Sequence, residues 1–169
     1  MKRKRRLSLK EKYPPSVSCS CDICTSYCIR PGWWSVEEAA RAMEAGLFGR
    51  MMLEISPEGT FGVLSPAFKG CEGKLALQAC WGSGCTFLKN DLCELYDSGF
   101  EPMECLYCHH TRSGLGQKCH ADLEKDWYTP AGQALVVRWM GNAFRLNGDG
   151  LGIASAITLL DERTLMRGE

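Results

Sequence analysis

Cysteine placement constrains this chain more than any other feature. Eleven of its 169 residues are cysteine, and the segment CSCDICTSYC sets Cys19, Cys21, Cys24 and Cys28 within ten positions. The others form C-x4-C-x7-C at Cys80, Cys85 and Cys93 and C-x2-C at Cys105 and Cys108, with Cys71 and Cys119 isolated. A secretory signal needs an apolar run of about 7 to 15 residues. Here MKRKRR is followed by the polar LSLKEKYPPS, so the chain is expected to be cytoplasmic. A reducing cytosol disfavours disulfides, and thiols clustered this closely then point to metal ligation. A loop of two or three residues can wrap an ion without strain, and distant cysteines close its coordination shell. Such binding is also folding energy, on the order of 10 kcal/mol for a structural zinc near neutral pH.

The net charge of zero hides an uneven distribution. Residues 1–12 hold seven Lys or Arg and one Glu, a net of +6, and the remainder carries −6. We read residues 1–16 as a basic N-terminal arm, closed by the stiff YPPS link. The arm is expected to be solvated or to rest on the acidic body, with nucleic acid as the alternative partner. No apolar run reaches the roughly 20 residues of a membrane span, so no membrane partner is expected.

Local signals place several elements. Ser35 and Glu38 form a capping box in SVEEAARAM, with Val36, Ala39, Ala40, Met43 and Leu47 on one helical face and Gly46 as the stop. Residues 51–64 predict two strands around Pro57-Glu58-Gly59. Residues 65–84 read as a loop carrying Cys71 and Cys80. CTFLKNDLCELY predicts a second hairpin; folded about Lys89, it sets Cys85 opposite Cys93, with Cβ atoms about 4.5–5.5 Å apart. Residues 121–129 suggest a short helix, and Thr129-Pro130 opens another with the stripe Leu135, Trp139, Ala143 and Leu146. That stripe is expected to cover the cysteine half, and LGIASAITLL (151–160) fits either helix or strand. The expected fold is a small single α+β domain. It has short antiparallel hairpins and cysteine-rich metal loops covered by two or three helices, with 17–120 as the metal-binding region and 121–169 as its helical packing region.

Rival chemistries are weaker. CLYCH, Cys105 to His109, matches covalent haem attachment, but that reaction belongs outside the cytosol. His109, His110 and His120 read singly as hydrogen-bonded histidines. There is no Ser-His-Asp set and no phosphate-binding glycine loop, and Pro31 stands where a C-x3-C-x2-C cluster motif needs its third cysteine.

CSCDICTSYC, the helix opened by SVEEAARAM, and CTFLKNDLCELYDSGFEPMEC together resemble the YkgJ-like cysteine-cluster family. That family is described as zinc- or iron-chelating, and related clusters occur in flagellin lysine methylases. Cys85, Phe87, Leu88, Cys93, Tyr96, Pro102 and Cys105 follow its middle and closing pattern. The N-terminal cluster departs from it, because no two cysteines are adjacent, and Glu101 stands where the family has arginine. The resemblance spans about residues 19–110 and implies Cys21, Cys24, Cys28, Cys85, Cys93 and Cys105 as ligands. Spacing alone adds Cys108 and Cys80.

Eight thiolates suit two four-cysteine zinc sites, or an iron–sulfur cluster with a second metal. We favour the iron–sulfur cluster over zinc. The expected function is metal binding in electron transfer, metal or cluster handling, or support of a partner enzyme, and a protein partner is expected. The alternative is a structural zinc module that uses residues 1–12 to bind nucleic acid or protein. No catalytic signature is present.

Overall fold

In the computed structural model, which describes residues 7–76 and 78–147, the chain has the α+β architecture the sequence suggests. Six α-helices and two antiparallel two-stranded hairpins are found among the described residues. The segment 151–160 and the basic residues 2–6 lie outside them.

The first long helix, α3 (Val36–Glu44), begins at the expected capping box. The Ser35 hydroxyl accepts from Glu38 N–H at 3.3 Å, and the Glu38 carboxylate accepts from Ser35 N–H at 2.9 Å. It stops where Gly46 turns left-handed at φ 89°, a conformation that costs glycine little. Ala39, Ala42 and Met43 are buried, and Val36, Ala40 and Leu47 pack at the edge of the same core. Two shorter helices precede it, α1 (Leu9–Lys12) and α2 (Asp22–Ser26).

Strands β1 (Met51–Ile55) and β2 (Gly62–Pro66) pair from Met51↔Pro66 to Ile55↔Gly62, around a turn with Gly59 at φ 65°. All of β2 is buried because both faces of the hairpin are covered. Met51, Leu53, Val63 and Leu64 enter the main core, while Met52 enters a small second cluster with Ala67, Phe68 and Cys71. The chain after β2 returns along β1, with Gly73 N–H on Met51 O at 2.8 Å and a bridge between Leu53 and Leu75.

The second hairpin corrects the expected register. Strands β3 (Leu88–Lys89) and β4 (Leu92–Cys93) pair Leu88 with Cys93 and Lys89 with Leu92. The turn is Asn90-Asp91, both at positive φ (49° and 61°), the left-handed pair that a tight two-residue hairpin turn requires. Cys85 therefore does not oppose Cys93, and it bridges to Phe68 instead.

Helix α4 (Met103–Tyr107) carries Cys105, and α5 (Gly116–Trp127) carries Cys119 and His120. Helix α6 (Pro130–Asn147) opens as expected, with Gln133 N–H on Thr129 O at 3.0 Å and Gly132 N–H on the Thr129 hydroxyl at 3.2 Å. Its buried residues Leu135, Val136, Trp139, Met140 and Ala143 pack against α3, α5 and β2. The stripe thus covers the β1–β2 hairpin rather than the cysteine loops, which lie beside α4 and α5.

Four tryptophans anchor this core, and each indole N–H finds an oxygen. Trp33 donates to Glu54 at 2.8 Å, Trp34 to Phe100 O at 2.8 Å, Trp127 to Trp34 O at 2.8 Å and Trp139 to Phe48 O at 2.9 Å. Close approach at the α5–α6 corner depends on Gly132, where a Cβ would lie 2.4 Å from Trp127 O and 2.9 Å from its Cα. Helix propensity alone favours Gly132→Ala by roughly 1 kcal/mol. The clash is with backbone, so we expect the variant to lose about 1–3 kcal/mol as overpacked sites do. A thermal melt checks the sign: a raised melting temperature would mean the first turn of α6 can shift off Trp127.

The described part of the basic arm rests on the acidic body. Lys10 meets Glu37 at 3.1 Å and Lys12 meets Asp122 at 3.0 Å. Tyr13 donates to Asp122 at 2.8 Å. Lys125, Tyr13 and Lys12 together hold the Asp122 carboxyl well below the ordinary range. Burial, then Asp122, pushes the Tyr13 hydroxyl up to about 12.

Candidate metal centre

Residues 17–30 have little apolar reason to hold a shape. Helix α2 buries no side chain, and Val17, Ile23 and Ile29 are exposed. The segment is tied down by polar links: Ser16 N–H to Leu106 O at 2.7 Å, the Ser18 hydroxyl to that of Tyr96, and Cys85 N–H to Cys28 O at 3.0 Å. What it organises is sulfur. Cys21 is the N-cap of α2, Cys19 precedes it, and Cys24 lies within the helix's single turn.

These three sulfurs converge on one nitrogen. Cys19, Cys21 and Cys24 each place Sγ 3.5 Å from His110 Nδ1. A tetrahedral ion with M–S near 2.3 Å and M–N near 2.0–2.1 Å sets neighbouring ligand atoms about 3.5–3.6 Å apart. Cys19, Cys24, His109 and His110 also offer ligand atoms that all lie within 4.8 Å of one another. The grouping could hold a metal ion. Backbone N–H donation from Cys24 lowers the Cys21 thiol below its ordinary value, while burial raises that of Cys24.

The chain delivers His110 through a tightly tied turn. Arg112 donates to Pro14 O at 2.7 Å and stacks 4.7 Å over the Tyr107 ring, and Tyr107 meets Tyr13 edge-on at 5.1 Å. The His109 ring lies 4.1 Å from that of His110. His109 is buried; its Nδ1 accepts from Thr111 N–H at 3.2 Å, and its Nε2 has no hydrogen-bond partner. That acceptor role assigns the ring proton to Nε2. Burial holds His109 below its ordinary value and so keeps it neutral.

A second set, Cys28, Cys85, Cys93 and Cys105, comes from four separated segments and lines one cavity, with Cys85 N–H on Cys28 O at 3.0 Å. Each thiol is raised, by desolvation first. Neighbouring sulfur then adds to the shift: Cys93 acts on Cys28, Cys93 and Cys28 act on Cys85, which reaches about 11, and Cys85 and Cys28 act on Cys105. Cys105 is exposed and opens to a cavity. Its approach to the chain needs Gly32, where a Cβ would lie 2.7 Å from Cys105 Sγ. Glu101 adds a half-buried carboxyl, itself raised by burial, beside Cys28 and Cys93. Thiols in this setting keep their protons until a cation replaces them.

The cavity, about 1200 Å³, is lined by Cys19 and Cys24, by all four cysteines of the second group, and by Cys108. Of the sequence-predicted ligands, Cys21 and Cys24 thus fall in the first group and Cys28, Cys85, Cys93 and Cys105 in the second. Cys108 lies near Cys24 and Glu104, raised by burial to about 11. Cys80 packs with Cys71 against the separate Met52 cluster. Cys19 and His110 were missing from the expected set. Cys19 belongs to the same C-x-C-x2-C run as Cys21 and Cys24, and the histidine pair directly follows Cys108.

His120 has a different task. Its Nδ1 lies 2.9 Å from Glu104, whose other oxygen accepts Trp33 N–H at 2.7 Å, and its ring stacks 4.0 Å from Trp33. The Glu104 hydrogen bond raises its pKa against desolvation. A raised histidine contributes stability fully below its unfolded value and loses it as pH climbs through the folded value. We therefore expect stability to decline just above the ordinary histidine range, and His120→Gln to flatten that decline in melts followed against pH. An unchanged profile would remove His120 as its source. No protein-family model matches the chain, no curated protein matches it in sequence, and no solved structure matches it in fold.

Proposed function

We propose that this protein is a thiolate metalloprotein with two centres, one zinc ion on Cys19, Cys21, Cys24 and His110 and a second centre on Cys28, Cys85, Cys93 and Cys105. The observation that carries the reading is the set of three sulfurs at 3.5 Å from one ring nitrogen. An iron–sulfur cluster spreads four ligands over several irons and so sets them wider than a single ion does. The spacing at the first centre therefore favours one tetrahedral ion, with zinc as the metal that suits three thiolates and an imidazole. The second group, built of thiolates alone, suits either zinc or an iron–sulfur cluster, and the YkgJ-like pattern of Cys28, Cys85, Cys93 and Cys105 supports assigning it a metal.

Its role is to hold metal and present a metal-ordered surface to a protein partner, with electron transfer added where the second centre carries iron. Val17, Tyr27, Leu92 and Tyr96 are exposed and line the same cavity as the cysteines, which supports a protein partner over nucleic acid. Lys10 and Lys12 are occupied by Glu37 and Asp122.

Elemental analysis and an absorption spectrum of anaerobically purified protein test this. Two zinc ions with no acid-labile sulfide fit two single-ion centres. One zinc with iron and sulfide assigns a cluster to the second group. Protein that folds and carries no zinc would overturn the reading.

A further inference from the structure

Two cysteines stand apart from both proposed centres and share one small apolar cluster. After β2, a short ladder joins residues 67–69 to 84–86. Thr86 N–H donates to Ala67 O at 2.8 Å, Phe68 bridges Cys85, and Lys69 N–H donates to Gly84 O at 3.0 Å. The loop beyond this ladder has Cys71 at one end of its neck and Cys80 at the other. Cys71 is fully buried, and Cys80 packs on the same cluster of Met52, Ala67 and Phe68. Gly70, at φ 95°, keeps the turn close enough that a Cβ there would lie 3.8 Å from Cys80 Sγ. Cys71 lies close enough to raise the Cys80 thiol above its ordinary value, and both cysteines are free.

We propose that Cys71 and Cys80 are a redox-responsive dithiol that closes to a disulfide by exchange with a low-molecular-weight disulfide of the glutathione class. The partly exposed Cys80 is the entry point. Its thiolate attacks one sulfur of the oxidised reagent, forming a mixed disulfide and releasing one glutathione thiolate. Cys71 then gives up its proton and attacks the Cys80 sulfur, forming the internal bond and expelling the second glutathione. Two protein thiols are oxidised and one small disulfide is reduced to two thiols. The bond would clamp the neck of the loop whose far strand delivers Cys85 to the second group, so the pair's state bears on how firmly Cys85 is held. The proposal stands on the Cys71–Cys80 neighbourhood and does not depend on the metal at either centre.

The test uses the full chain as purified, with its metal. It is incubated with oxidised glutathione, denatured, alkylated and mapped by peptide mass spectrometry. A linked Cys71–Cys80 peptide and the loss of two alkylatable thiols are expected, reversed by dithiothreitol. In Cys71→Ser the expected product is glutathione retained on Cys80, because the resolving thiol is gone. In Cys80→Ser neither product should form at Cys71. The proposal fails if wild-type Cys71 and Cys80 stay alkylatable under these conditions, or if wild-type Cys80 keeps its glutathione without closing. Both outcomes are read on the wild-type protein, so they hold even where a variant fails to fold.

Discussion

Chelation of the metal should release residues 17–30 and 105–112 while the tryptophan core stays packed. Zinc bound by three thiolates and an imidazole contributes on the order of 10 kcal/mol, comparable with the roughly 5–15 kcal/mol that separates folded from unfolded domains. Such a loss can unfold a whole domain when every element leans on the metal, and this fold is not built that way. Trp34, Trp127 and Trp139 are fully buried among α3, α5, α6 and the β1–β2 hairpin. Residues 17–30 add none of their own side chains to that core, and 105–112 add only the partly buried Tyr107; α2 is five residues long and buries nothing, far short of the ~12–15 residues an isolated helix needs. Hydrogen exchange should therefore show lost protection in 17–30 and 105–112 upon chelation, with protection kept in α3 and α6. Tryptophan emission should stay that of buried indoles until a separate transition at higher temperature. A single transition in which emission and exchange change together would show that the metal supports the core directly.

What could be read from the sequence follows how far each signal reaches along the chain. Ser35 with Glu38, Thr129 with Pro130, and the Pro57-Glu58-Gly59 turn act within a few residues. Each is found where expected. The β3–β4 register departs from expectation because a symmetric fold about Lys89 ignores backbone sign. Asn90 and Asp91 both accept positive φ, and that moves the turn. The α6 stripe was legible as a buried face, but which surface it meets depends on the path of the whole chain. Sorting the cysteines depends on it even more. Cys19 and His110 are 91 positions apart, and the ring contacts that tie down the turn carrying His110 come from Tyr13, Tyr107 and Arg112. Spacing could say that Cys21 and Cys24 lie together. It could not say that both meet His110 while Cys28, four residues on, lies beside Cys85.

His110→Ala is expected to weaken zinc binding at the first centre by more than the 10–100-fold typical of an outer-shell partner. Three thiolates would remain with one position open to water. The substitution is informative because His110 is exposed, and a surface change away from special features alters stability by only about ±0.5 kcal/mol. Its effect on the apo protein should be small, so any large fall in melting temperature should appear only with zinc present. His109→Ala supplies the contrast. That ring is buried, so its loss should destabilise the apo protein, yet zinc affinity should drop only within the outer-shell range, because in the proposed ligand set the ring packs against His110 and is not itself a ligand. Competition with a chromophoric chelator measures both affinities, and cobalt substitution reports the ligand set directly. His110→Cys should restore tight binding with a four-thiolate spectrum. If His109→Ala costs more zinc affinity than His110→Ala, the nitrogen ligand has been assigned to the wrong ring, and three sulfurs at 3.5 Å from His110 Nδ1 would be packing without coordination.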